Sequence, residues 1–265
     1  MKLAILTLLP LLSAFPQNVF LDAKPTNQRD IAQRLDGSER IVVGRVTKSE
    51  VVHKLSKVAK MKAATPDTLS QILLDTQNDS GILLTVTVDT PLFDRSAPGR
   101  VGSGAAEIYF FQTLDEYDLS FDDRNPSESI GLGAKYLLFL RPDPRATQKV
   151  QDFGLAPDRK YYRTVERSRG AIRLEHDKYQ IQYPYLKATA AKLTPEQIAT
   201  SQTILNETNE FLATTTILCQ ALQPINVLEK LNRLETLKSP ADPVLRQNAD
   251  YLVNQLTGPD GRPKQ

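Results

Sequence analysis

At 265 residues the chain is longer than one small domain needs, and its 40% hydrophobic content supplies a packed core without implying a membrane protein. Lys and Arg number 33 against 31 Asp and Glu, a formal charge of +2, so no global field draws the protein onto nucleic acid or an anionic bilayer. The single cysteine, Cys219, excludes an intramolecular disulfide.

The N-terminus opens with Lys2 and an apolar run from Leu3 to Leu12, broken only by Thr7 and Pro10, with Ser13 and Ala14 behind it. This is the layout of a secretory signal, and the run is too short for a membrane helix, which needs about 20 apolar residues. The expectation is a signal peptide over residues 1–14 and a mature chain that is secreted or periplasmic. A polar stretch of low periodicity leads to Ile41-Val42-Val43-Gly44-Arg45-Val46, whose β-branched residues predict a strand, with Gly44 marking a bulge or bend. Residues 54–81 read as a polar interval, in which Thr65 caps a short helix with Pro66 at its first position.

Ile82-Leu83-Leu84-Thr85-Val86-Thr87-Val88 alternates, placing Ile82, Leu84, Val86 and Val88 on one face of a second strand. Glu107-Ile108-Tyr109-Phe110-Phe111 predicts a third, left through an acidic loop at residues 115–123. Gly133-Ala134-Lys135-Tyr136-Leu137-Leu138-Phe139-Leu140-Arg141-Pro142 then gives a run of five apolar residues bounded by glycine and proline. It is too short for a buried helix and too continuous for a one-sided strand, so it predicts a central strand covered on both faces. The chain must supply the outer cover.

Shorter strands are predicted within residues 160–166, 171–175 and 179–183, with Asp177-Lys178 as the turn between the last two. After Pro184 the pattern is helical. Leu193-Thr194-Pro195-Glu196-Gln197-Ile198 combines a threonine cap, proline at the first position and glutamine three residues past the cap. That helix is expected to run toward Leu222, short of Pro224. A second covers residues 227–237 with Leu228, Leu231 and Leu234 in register, and a third starts at Asp242-Pro243 and ends before Gly258.

Nothing in these patterns identifies a reaction. His53 reads as a strand-end residue and His176, beside Asp177, as a surface turn residue, and neither lies in a catalytic signature. Asp75-Thr76-Gln77-Asn78-Asp79-Ser80-Gly81 approaches a calcium loop with its glycine one place late. The acidic loop is more simply a solvated one, and Gly102-Ser103-Gly104 and Gly131-Leu132-Gly133 lack the context of a nucleotide fold. Cys219, among Ile217, Leu218 and Leu222, reads as a core thiol. No metal or other cofactor is called for. Arg159, Lys160, Tyr161, Tyr162, Arg163, Arg167, Arg169 and Arg173 form the one basic and aromatic concentration, the composition of a groove that stacks bases and tracks phosphate, or else of a solvated hairpin face.

The phrases Ile41-Val42-Val43-Gly44-Arg45-Val46, Leu84-Thr85-Val86-Thr87-Val88 and Gly133-Ala134-Lys135-Tyr136-Leu137-Leu138-Phe139-Leu140 resemble the netrin-like module, the family of the tissue inhibitors of metalloproteinases and of many bacterial secreted proteins. The resemblance covers residues 38–145 and implies an OB-type five-stranded barrel. The family's inhibitors place an N-terminal cysteine on their target's zinc. Cys219 is the first cysteine in this chain, so that mechanism does not carry over.

The expected architecture is therefore α+β: a signal peptide (1–14), a netrin-like OB barrel (38–145), a β-hairpin extension (146–190), a C-terminal helical domain (191–258) and a polar tail (259–265). The expected function is non-enzymatic binding of a protein partner through the loops at residues 54–81 and 92–106, since loops on a rigid scaffold carry recognition. Two alternatives follow from other residues. One is an anionic polymer or small ligand held by the segment from Arg159 to Arg173. The other is a hydrolase using Glu107 with Asp115 or Asp118.

Overall fold

The computed structural model describes residues 30–65, 68–69, 79–97, 107–113, 133–165, 170–174, 195–238, 241–259 and 262–264. The expected signal peptide, the acidic loop, Gly102 to Gly104, His176 and the strand expected at residues 179–183 lie outside them. The fold is α+β, an antiparallel six-stranded sheet with helices at both ends of the sequence. The strands are β1 (Arg40–His53), β2 (Ser80–Asp94), β3 (Glu107–Thr113), β4 (Lys135–Pro142), β5 (Tyr162–Thr164) and β6 (Ala171–Arg173). The helices are α1 (Ile31–Asp36), α2 (Leu55–Ala63), α3 (Pro144–Lys149), α4 (Pro195–Leu222), α5 (Val227–Thr236) and α6 (Pro243–Leu256).

The spatial order is β3-β2-β1-β4-β5, with β6 also on β4. The sheet is open. Its two edges, β3 and β5, approach each other at one parallel bridge between Tyr109 and Tyr161 rather than along a ladder. The expected barrel is thus observed as an open sheet.

β1 and β2 are much longer than their apolar phrases, forming a two-stranded ribbon from Arg40↔Asp94 to His53↔Ser80. The polar residues 47–50 give no strand signal because they lack the alternation that burial imposes. Gly44 is required here: a Cβ at that position would stand 2.7 Å from the Thr87 carbonyl oxygen and 2.8 Å from Val86 Cγ1. The register of the ribbon slips beside it, between Val43 and Gly44, as expected of a bulge that bends a strand. Gly133, at φ +82°, makes the turn into β4.

β4 has both faces buried, as its sequence predicts. Tyr136, Leu138 and Leu140 join Val42, Val46, Leu84, Val86, Ile108, Phe110 and Tyr162 on the inner side of the curved sheet. Leu137 and Phe139 point the other way, into a cluster with Ile31 and Leu35 of α1, Phe211 and Leu218 of α4, Leu234 of α5 and Leu252 of α6. The Phe139 and Phe211 rings meet edge to face at 6.2 Å. The helices from both termini are the outer cover. A buried side-chain bond fastens them together, Asn248 Oδ1 accepting from the Ala32 amide at 2.7 Å.

The C-terminal helices follow their local signals. α4 reaches Leu222, and Asp242 caps α6 by accepting from the Leu245 amide at 2.9 Å. The residues expected to cap α4, Leu193 and Thr194, lie outside the described set. In α5 the expected stripe divides: Leu234 is fully buried while Leu228 is 57% exposed. α1, α2 and α3 were not anticipated. α1 and α3 span only six residues each, too short for helical periodicity to register, and α2, nine residues long, is lysine-rich with Lys57 turned inward.

Candidate functional site

The basic and aromatic segment leaves α3 and becomes β5. Asp143 sets the direction of α3, its carboxylate accepting from the Arg145 and Ala146 amides at 3.0 and 3.4 Å. The segment is then stitched back, the Asp143 amide donating to the Tyr161 carbonyl at 2.9 Å. Tyr161 is 1% exposed, packed with Leu83, Phe111 and Phe153, and its hydroxyl donates to the Ala156 carbonyl at 3.1 Å. Burial pushes its phenol pKa up. Tyr162 is 5% exposed, inside the sheet. Neither ring offers a face on which a base would stack.

The cations of the segment lie over these and neighbouring rings. The Arg159 guanidinium sits 4.4 Å from the Tyr109 ring centroid, and the Lys160 ammonium 5.5 Å from that of Tyr162. Lys160 is also ion-paired with Glu39, and that hydrogen bond raises its pKa. Close by, buried Arg40 lies 3.1 Å from the Asp94 carboxylate. Arg163 stands in β5 directly opposite Arg141 of β4, and Arg173 stands in β6 opposite Tyr136. Arg167 and Arg169 lie outside the described residues. Of the predicted group, Arg159 and Lys160 share the neighbourhood of Tyr109, Tyr161 and Tyr162, while Arg163 and Arg173 are carried on separate strands.

A second polar constellation closes the far end of the ribbon. His53 Nδ1 lies 2.7 Å from Ser80 Oγ, which also accepts from Lys57 Nζ at 3.2 Å. The hydroxyl oxygen keeps a second lone pair, so it pairs with Nδ1 as donor or as acceptor according to the imidazole tautomer. Burial, and then the charge of Lys57, hold the imidazole pKa below its ordinary value. Lys54 and Asp79 are paired beside them at 2.8 Å. A hydroxyl between an imidazole and an ammonium has the elements of an activated nucleophile. Ser80 is 1% exposed, however, so no substrate reaches its oxygen in this arrangement. The group fastens α2 to the ribbon. Lys57 and Ser80 were not singled out from sequence, where 27 residues separate His53 from Ser80. Their meeting follows from the ribbon register, which composition does not reveal.

Next to this constellation one edge of the sheet has no neighbouring strand among the described residues. β4 pairs with β1 from Arg40 to Arg45, and the Val46 amide and carbonyl bond to Ala134 and Gly133. Beyond that point β1 has β2 on one side and, among the described residues, no strand on the other. Val51 is 55% exposed and Leu55, at the start of α2, 56%. Lys48 and Glu50 pair across the same stretch at 2.8 Å.

The remaining sequence candidates resolve simply. Glu107 accepts a hydrogen bond from the Tyr109 hydroxyl, and its expected acidic partners Asp115 and Asp118 lie outside the described residues. Among the described residues no three His, Cys, Asp or Glu side chains gather as a metal site, and no helix is long and apolar enough to cross a membrane. Cys219 is fully buried in the outer cluster, and desolvation drives its thiol pKa far up. No protein-family model matches the chain, and comparisons with curated proteins and with solved structures give no match.

Proposed function

We propose that this is a secreted or periplasmic, non-enzymatic binding protein that takes an extended segment of a protein partner along the open edge of β1 at residues 48–52. The observation that carries this reading is that β1 at residues 48–52 has, among the described residues, no strand on that side, with exposed Val51 and Leu55 flanking it. Unpaired strand backbone is complementary to another extended chain, and exposed apolar side chains give the added strand something to bury. The Lys48 and Glu50 pair on the edge is the kind of charge guard that discourages two copies from pairing, which favours a different partner over self-association. The edge leads into α2, which lies within the residues 54–81 expected from sequence to make contact.

The proposal extends to the scaffold. The order β3-β2-β1-β4-β5 and the parallel bridge between Tyr109 and Tyr161 support an OB-type, partly open barrel of the netrin-like kind. The address rests on the signal-like residues 1–14.

The test is a photo-crosslinking amino acid placed at Val51 in the full-length protein produced in its own host, with mass spectrometry of the captured species. One protein captured repeatedly at Val51, and no longer captured when Leu55→Glu is introduced, supports the reading. Background levels at Val51 with intact folding overturn it.

A further inference from the structure

On the outer face of the sheet, beyond Phe139, two arginines stand side by side. Arg141 of β4 and Arg163 of β5 are register partners in an antiparallel pair. Directly opposed like charges destabilise a ladder, and an arginine placed so is ordinarily matched by an acid. Here neither guanidinium forms a hydrogen bond or ion pair among the described residues. Arg163 Nε is buried with no hydrogen-bond partner at all, an arrangement that costs stability unless something else supplies the acceptor. The pair is reachable, with Arg141 exposed and Arg163 half-buried.

The electrostatics agree. Burial, followed by the charge of Arg163, lowers the pKa of Arg141, and the nearby Asp143 carboxylate offsets only part of this. That carboxylate is committed to the α3 amides. Two planar forks with fixed donors, held by adjacent strands, match the oxygens of one tetrahedral anion better than two mobile lysines would.

We infer that Arg141 and Arg163 form a two-arginine site for a doubly charged tetrahedral oxyanion, a phosphate or sulfate group. The anion accepts from the exposed head of Arg141 and from the outer nitrogens of the half-buried Arg163 guanidinium, and cancels their repulsion. The site is separate from the β1 edge, so its failure leaves the protein-partner reading standing.

The experiment follows the arginine Nε–H signals of the full-length protein by NMR, together with its thermal unfolding, at low ionic strength. Inorganic phosphate and inorganic sulfate are the probes, sodium chloride at matched ionic strength is the control, and a sulfated polysaccharide forms a separate arm. Saturable displacement of the Arg163 Nε–H signal and a raised Tm in the presence of phosphate or sulfate are expected. Loss of one charged hydrogen bond in Arg141→Gln should weaken the apparent affinity about tenfold or more. In anion-free buffer Arg141→Gln should unfold no lower than the parent protein, because it removes a repulsion, and Arg163→Lys should keep charge but lose affinity. Much tighter binding of the polysaccharide than of inorganic sulfate identifies a polymer-borne group, and equal binding a free anion. Responses to phosphate and sulfate no larger than to chloride, or undiminished in Arg141→Gln, overturn the inference.

Discussion

From Tyr136 to Leu140, β4 buries every side chain, alternately against the inside of the sheet and against the helices, whereas β1 beyond Val46 leaves Thr47, Lys48, Ser49 and Val51 exposed. Both stretches are extended and both belong to the same sheet. The difference is cover: helices from the two ends of the sequence close over β4, and among the described residues no strand or helix pairs with the outer edge of β1 at residues 48–52. A strand with two dry faces serves as scaffold, and a strand with an open edge is available for contact.

The strongest way to break that comparison is to remove cover from β4. Phe139→Ala should cost about 3–5 kcal/mol in urea unfolding, because it empties space between β4 and Phe211 that the helices cannot refill. Gly44→Ala should cost about 1–3 kcal/mol in the same measurement, since the obstructing atom is the Thr87 backbone carbonyl, which has little freedom to move aside. Asp242→Ala removes the cap of α6, one of the covering helices, and should cost about 1 kcal/mol.

At the other end of the ribbon the effects are smaller. The native imidazole of His53 resists protonation, while the unfolded one takes a proton near its ordinary value of about 6.5. Its contribution is therefore fully present above about pH 6.5 and is lost as pH falls toward the lowered native value. His53→Gln should flatten that part of the pH–stability curve, and an unchanged slope would contradict the geometry around Ser80. Val51→Lys should alter stability by no more than about 0.5 kcal/mol, as expected for an exposed edge residue. A larger loss would mean that the edge is covered after all.

The same contrast explains what was legible in the sequence. Wherever a face is buried, apolar residues record it: β4 shows two covered faces, Leu84 and Val86 show one, and the capped start of α6 is spelled by Asp242 and Pro243. Residues 47–51 carry no such record, since the ribbon there is held by backbone bonds to β2 and its side chains are mostly exposed. The short helices were silent for lack of length. The basic segment was visible as composition, but composition does not distinguish Tyr161 and Tyr162, which build the core, from Arg163, whose partner Arg141 lies on another strand. Pairings such as His53 with Ser80 depend on register, which only the folded ribbon fixes.

The bond from Asn248 to the amide of Ala32 joins positions 216 residues apart. During synthesis the outward side of β4 is therefore made long before α6, which shields it, and this part of the fold cannot be completed until α6 has left the ribosome. Contacts of such long range make for slow folding and prolonged display of apolar surface. A holdase or translocation factor that binds the nascent chain would have Leu137 and Phe139 as its natural target until the C-terminal helices arrive.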